Sequence, residues 1–195
     1  MNNTMAYYEA NAEEYINRTK DIDMSEIYSK FLEYVPKNGY ILDLGCGSGR
    51  DSKYFNSNGY KVLGIDASKK FCDHLKNDLK IDSQVMNLED FYFENEFDGV
   101  WACASLLHLK KYDVIKCLHH ISYSLKENGT LYASFKYGDA ERVDDTGRFY
   151  SDFTEMDIPV LFNEGTKLKC VDWWTSKDKK EGSDETWLNV ICKKI

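Results

Sequence analysis

Apolar positions recur along this chain with two different periods, and the order in which the periods alternate outlines the fold. Met5, Tyr8, Ala12, Tyr15 and Ile16 lie three and four apart, so residues 5 to 19 are predicted to form an amphipathic helix. A second helix is expected from Met24 to Tyr34, with Ile27, Phe31 and Leu32 inward and Pro36 past its end. The pattern then changes. Ile41, Leu42 and Leu44 form a short apolar run that reads as a buried strand, and Gly45, Gly47 and Gly49 follow at every second position. A crossover helix from Ser48 to Ser57 is expected, ended by Asn58-Gly59, and a second strand runs from Lys61 to Asp66. Ser68 to Leu79 reads as the next helix, with Phe71, Cys72, Leu75 and Leu79 on one face, and Ser83 to Met86 as a short third strand. Phe97 to Ser105 is the fourth strand, Tyr112 to Leu125 a helix, Lys126 to Gly129 a turn, and Thr130 to Phe135 the fifth strand.

The remainder is less regular. Lys136 to Phe153 is predicted as a long loop on the binding side of the sheet, and loops of that length in a compact domain are often functional. Thr154 to Phe162 looks like a helix whose first turns Pro159 disturbs, with Gly165 beyond it. Leu168 to Thr175 and Thr186 to Ile195 read as two strands joined by a polar loop, a hairpin that closes the sheet.

Strands alternating with helices imply a mostly parallel sheet, and a glycine-rich turn after the first strand implies that its backbone approaches a ligand. Asp66, about 20 residues past the glycines, stands where a Rossmann-like unit binds ribose hydroxyls. A dinucleotide fingerprint, G-x-G-x-x-G, is the main competitor, but the third glycine here comes one residue early and Asp43 precedes the loop. The series Asp43-Leu44-Gly45-Cys46-Gly47-Ser48-Gly49, then Asp66, then Asp98-Gly99-Val100-Trp101-Ala102-Cys103-Ala104-Ser105-Leu106-Leu107-His108 resembles the class I S-adenosylmethionine-dependent methyltransferases.

That resemblance implies an α/β fold: one domain over residues 1–195, with a doubly wound, seven-stranded, mostly parallel sheet, an antiparallel C-terminal strand and leading helices. Residues 1–36 would form a helical lid over a Rossmann-like core, 37–195. The implied cofactor is S-adenosylmethionine. Gly45, Gly47 and Gly49, with Cys46 among them, would admit its aminocarboxypropyl chain and ribose, Asp43 would face its amino end, and Asp66, with Ala67 beside it, would take the ribose hydroxyls. Asn87 and Leu88 fall where the family reads adenine; an amide oxygen can accept from the adenine amino group as the commoner carboxylate does. Ala102 and Leu107 would border the methionine arm or adenine. Tyr8, Tyr15 and Thr19 are lid residues by the same resemblance, although the tyrosines could equally pack the first helix on the sheet.

Three further residues are candidates for the chemistry. His108 could accept a proton from an attacking nucleophile or only pack beside the cofactor, while His119 and His120 fall on the following helix in structural or solvent positions. Arg148 and Tyr150, with Arg142 behind them, could read the acceptor, or the arginines could pair with Asp144, Asp145 or Asp152.

Charge and cysteine content narrow the acceptor and the compartment. A formal charge of -8 argues against a broad phosphate-binding surface, so a small molecule leads and nucleic acid stands second. Six cysteines without C-x-x-C or metal-type spacing suggest reduced thiols, no metal and a cytoplasmic location. No apolar run approaches the length of a membrane span. The expected activity is in-line methyl transfer to a small-molecule acceptor. A transfer-RNA wobble-uridine methyltransferase and a non-catalytic S-adenosylmethionine-binding module are the alternatives, and the oligomeric state stays open.

Overall fold

In the computed structural model, which describes residues 3–180 and 182–195, the first apolar run becomes strand β1 (Tyr40–Leu44), an inner strand of a seven-stranded sheet. Strands β2 (Lys61–Asp66) and β3 (Asp82–Val85) extend the sheet on one side, and β4 (Phe97–Ala102) and β5 (Leu125–Lys136) on the other, all parallel. A small separate hairpin follows, β6 (Glu141–Val143) with β7 (Phe149–Ser151). The last two strands are β8 (Leu168–Lys177) and β9 (Thr186–Lys194), and β9 inserts antiparallel between β5 and β8, giving the order β3-β2-β1-β4-β5-β9-β8. The expected sheet, with its antiparallel final strand and leading helices, is therefore present.

The helices are α1 (Asn3–Ala10), α2 (Ala12–Thr19), α3 (Ser25–Leu32), α4 (Arg50–Ser57), α5 (Lys69–Asn77), α6 (Lys111–Ser124) and the short α7 (Ile158–Leu161). Alternation along the strands divides the core into two layers. Leu42, Leu44, Val100 and Ala102 join Val114, Leu118 and Ile121 of α6 on one face, while Ile41 and Trp101 join Phe31 of α3 and Phe55 of α4 on the other. Trp101, fully buried, stacks on Tyr132 of β5 at 4.0 Å between ring centroids.

The structure corrects several boundaries. The first predicted helix is broken at Asn11, whose φ of -107° and ψ of 19° leave the helical region and whose side-chain amide donates to the Tyr7 carbonyl at 2.8 Å. An asparagine that competes for the backbone carbonyl four residues back weakens helix propagation at that point. The turn at Lys126–Gly129 survives inside β5 as a bulge: pairing with β4 jumps from Phe97↔Leu125 to Gly99↔Thr130. The long loop after β5 is not irregular throughout, because it contains the β6–β7 hairpin. Asp144 makes that turn by accepting from the backbone N–H groups of Thr146 and Arg148, each at 3.0 Å, and Gly147 takes the positive φ of 84°. Past it, Pro159 stands in the first turn of α7, after a short 3₁₀ turn capped reciprocally by Thr154 and Asp157.

Because the strand order reverses at β1, the loops leaving β1 and β4 diverge at their carboxyl ends, where open α/β sheets bind ligands. The candidate site lies there.

Candidate functional site

Two cavities meet at these strand ends. The smaller, about 110 Å³, is walled by Gly45 and Gly47 after β1, Asp66 to Ser68 after β2, Asn87 to Glu89 after β3 and Cys103 to Ser105 after β4. Thr4, Met5 and Tyr8 of α1 and Tyr15 of α2 cover it. The larger, about 420 Å³, opens toward β5, the β6–β7 hairpin and the β8–β9 loop, and the two share Tyr8, Tyr15, Cys103, Ala104 and His108.

The smaller cavity has the shape of a cradle for a polar ligand. Gly45 has φ of 83°, and a Cβ there would lie 2.5 Å from the Cβ of Ser105; Gly47 has φ of 48°, and its Cβ would meet the Tyr15 ring at 3.3 Å. Only glycine lets the backbone run so close to both neighbours. The hydroxyl Oγ of Ser105 is buried and has no partner among the described residues. A buried hydroxyl without a partner is costly, and a ligand in this cavity would relieve it. Asp66 accepts from the backbone N–H groups of Gly47 (3.1 Å) and Ser68 (2.9 Å), and burial pushes its pKa up to about 6 despite those bonds. The two carboxylate oxygens together offer about four lone-pair sites, so some are left for a ligand's hydroxyls.

α1 is tied down over the cavity by polar contacts. Glu9 accepts from the Ser68 hydroxyl at 2.6 Å, the Phe149 N–H donates to Thr4 Oγ1 at 2.9 Å, and Tyr8 meets His108 Nε2 at 2.9 Å. Those contacts settle the histidine's tautomer. The Phe149 carbonyl, 2.7 Å from Nδ1, can only accept, so Nδ1 carries the hydrogen and Nε2 accepts from the Tyr8 hydroxyl. Burial pushes the His108 pKa down to about 4, leaving the imidazole neutral at physiological pH. Burial also raises Cys103 to about 12, so the thiol at the junction of the cavities is protonated.

Behind the glycine loop lies a buried polar cluster. Asp51 of α4 accepts from Tyr28, from Trp101 Nε1 at 2.9 Å and from Arg50 Nε at 2.6 Å. Burial alone would raise its pKa, but the Arg50 guanidinium and these hydrogen bonds outweigh that and hold it low. Asp43 has the opposite shift: burial and the negative Asp51 raise it, and the Ser52 hydroxyl donating at 2.6 Å only partly compensates.

The expected site residues therefore divide into groups. Tyr15, Gly45, Gly47, Asp66, Ala67, Asn87 and Leu88 line the smaller cavity, and Thr19, Leu107, Arg148 and Tyr150 line the larger. His108 lines both. The Asn87 amide also donates to Asp90 at 2.9 Å, so it makes a turn as well as a wall. Four expected residues lie elsewhere. Asp43 is buried on Ser52, Cys46 is buried against Gly64, and Ala102 is fully buried in β4. A Cβ on Gly49 would strike Leu79 at 2.7 Å, so this glycine serves the packing of α5 and, at φ of 73°, the start of α4. Arg148 both bonds Asp144 at 2.9 Å and reaches the Tyr8 hydroxyl at 3.5 Å, and Arg142 pairs with Asp152. Ser105 was not expected, and no feature of its sequence context marks it. Ala104, with φ of 53°, turns the chain at the β4 end so that Cys103 and Ser105 face the ligand space.

Residues 41–129 match a family described as a methyltransferase domain. A putative methyltransferase, YqeM of Bacillus subtilis, is 32% identical over 121 residues, 56% of this chain and 49% of that protein. The ubiquinone biosynthesis O-methyltransferase of Pelagibacter ubique is 36% identical over 101 residues, 49% of this chain and 41% of that one. The chain thus spans about half the length of these curated relatives or less. Among solved structures, the 1,6-didemethyltoxoflavin-N1-methyltransferase of Burkholderia thailandensis, with bound 1,6-didemethyltoxoflavin and S-adenosylhomocysteine, superposes with a TM-score of 0.77 at 20% identity, covering 97% of this chain and 88% of that one. A TehB-like methyltransferase from Corynebacterium glutamicum superposes at 0.72 with 21% identity, covering 95% and 99%. At such identities the likeness is one of fold.

Proposed function

We propose that this chain is a class I methyltransferase, a reading that the match of residues 41–129 to a methyltransferase domain supports, and that it binds S-adenosylmethionine in the smaller cavity and methylates a small molecule held in the larger one. The observation that supports this most is the junction: two cavities of different character meet at Tyr8, Cys103, Ala104 and His108, the arrangement that bringing a donor and an acceptor into line requires. Asp66 would hold the ribose hydroxyls, Ser105 Oγ and the Gly45–Gly47 backbone would meet the polar methionine end, and Asn87 and Leu88 would border the adenine.

Bound there, S-adenosylmethionine supplies an electrophilic methyl carbon on a sulfonium sulfur. The protein's part is positioning and the exclusion of water by α1 and α2. Residues of the larger cavity would hold the acceptor's lone pair in line with that carbon, opposite the sulfur that keeps the bonding pair on leaving. A proton on the acceptor atom would find His108 Nε2 once the Tyr8 hydroxyl is displaced. An imidazole with a pKa near 4 is a weak base, so the site suits nucleophiles that ionise easily, such as phenols, thiols or acidic heterocyclic N–H groups, better than alcohols. All six cysteines are free thiols, in keeping with a cytoplasmic location. Among the described residues no helix is long and apolar enough to cross a membrane.

Incubation with S-adenosylmethionine and a panel of phenols, thiols, amines and nitrogen heterocycles, read by mass spectrometry, tests the proposal. Formation of S-adenosylhomocysteine with a product about 14 mass units heavier, one CH₂ added, supports it. Binding of the cofactor without turnover on any acceptor would instead favour a non-catalytic module.

A further inference from the structure

We infer that the acceptor carries an anionic group, a carboxylate or phosphate, seated between Lys136 and Arg148 in the larger cavity. This rests on the reading of that cavity as the acceptor site. The two cavities have opposite charge. Among the described residues, no Lys or Arg lines the smaller one, which carries the carboxylates of Asp66 and Glu89. Seven of the described residues around the larger one are Lys or Arg and two are acidic, on a chain whose formal charge is -8. A cationic sulfonium matches the first wall and an anion matches the second.

The deeper cations leave donors unused. The Arg50, Lys136 and Arg148 side chains are only 17%, 18% and 18% exposed, and each has a single carboxylate partner at one edge: Asp51, Glu185 and Asp144. Lys136 Nζ has three donors and gives one to Glu185 at 2.8 Å, a carboxylate whose side chain is itself 42% exposed. Arg148 uses Nε on Thr146 and Nη2 on Asp144, while Nη1 has only the Tyr8 hydroxyl at 3.5 Å. Lys136 and Arg148 converge on one ring, Tyr150, lying 4.6 and 5.4 Å from its centroid, with no carboxylate bonded to both. Two like charges held together in a partly buried wall repel each other, and an anion between them turns that repulsion into paired, charge-assisted hydrogen bonds. Tyr150, buried beneath these cations, packs beside His108 with ring centroids 4.8 Å apart, which puts the seated anion next to the junction.

The test uses the full chain and matched probes. Benzoate-type acids, their primary amides, phenyl phosphate and inorganic phosphate are titrated by ligand-observed NMR into protein with and without saturating S-adenosylhomocysteine, whose own affinity is measured by calorimetry. Acids are expected to bind about tenfold or more tightly than their amides, as loss of a charge-assisted hydrogen bond implies. Lys136→Met should abolish that preference and Lys136→Arg restore it, with S-adenosylhomocysteine affinity unchanged in both. Preference for benzoates over phenyl phosphate identifies a carboxylate, the reverse a phosphate ester, and equal binding of inorganic phosphate a free oxyanion. Amides binding as well as acids, no anion binding up to 10 mM (a ceiling of about 3 kcal/mol), or a Lys136→Met variant that loses S-adenosylhomocysteine instead would overturn the inference. Absence of S-adenosylhomocysteine binding in the unaltered protein would sink the methyltransferase reading separately, since the acid preference is also measured without it.

Discussion

Replacing Asp66 by asparagine separates what this carboxylate does for a ligand from what it does to the fold. In the proposed complex the carboxylate accepts from a ribose diol, and hydrogen bonds to a charged group contribute about 1.5–3 kcal/mol each. Asparagine keeps one acceptor oxygen, so the loss should be about 2–3 kcal/mol, roughly 30- to 150-fold in the dissociation constant of S-adenosylhomocysteine at pH 7.5. Wild-type affinity should also fall as the pH drops through about 6, where the buried carboxylate takes up its proton, while the variant stays flat. The stability effect has the opposite sign. A folded-state pKa of about 6 against an ordinary 3.8 means that protonation favours the folded chain. That contribution is fully present below about pH 4 and is lost as the pH rises through 6, and about two pKa units correspond to about 3 kcal/mol. Urea unfolding of both proteins at pH 4 and pH 7.5 should show the variant gaining about 3 kcal/mol on the wild type between the two. Unchanged ligand affinity would refute the ribose assignment, and a stability difference independent of pH would refute the desolvation argument.

Two further substitutions probe the neighbouring polar groups. Ser105→Ala removes a buried hydroxyl that has no partner, so the ligand-free protein should gain about 1 kcal/mol in thermal unfolding, while its further stabilisation by S-adenosylhomocysteine shrinks; a lower melting temperature without ligand would show that the hydroxyl is satisfied. Asp51→Asn leaves the Arg50 guanidinium buried without its counter-ion and should cost about 3–5 kcal/mol in urea unfolding. Adding Arg50→Met should recover part of that loss, and strict additivity of the two changes would rule out the pairing.

Much of the fold was legible because long-range order here follows local pattern. β1, β2 and β4 are short apolar runs bounded by glycines and polar turns, and such runs have few places to go except the middle of a parallel sheet. The β6–β7 hairpin was not legible. Its strands have three residues each, too few to establish a period, and it is held by an aspartate turn and Gly147 that look like any polar loop. The break at Asn11 was hidden for a related reason: the apolar spacing of Tyr8, Ala12 and Tyr15 continues through it, and the Asn11 backbone and side chain both donate to the Tyr7 carbonyl where the dihedrals depart from the helix.

The site was legible only where the chain's own direction reveals it. Gly45, Gly47 and Gly49 look alike in sequence, yet the first two face ligand space and the third, as the N-cap of α4, faces Leu75 and Leu79. At the end of β4 the alternation that puts Ala102 in the core breaks down where Ala104 turns left-handed, so the lining residues are the next three. The charge of the larger cavity was harder still to foresee. Arg50, Lys136 and Arg148 come from α4, β5 and the β6–β7 turn, and in sequence Arg50 and Arg148 stand beside or near the acids they pair with, Asp51 and Asp144. Only the folded chain places them around one space while the acids stay at its edge. A donor cation across the junction from a seated anion would lose its charge as the methyl moves, and fixed walls of opposite sign govern such a reaction through orientation more than through net field. They hold each partner on its own side until they are in line, and their donors and acceptors need no rearrangement when the sulfonium charge disappears and the seated anion keeps its own. That division of labour asks little of His108, and its depressed basicity is then consistent with the chemistry instead of an obstacle to it.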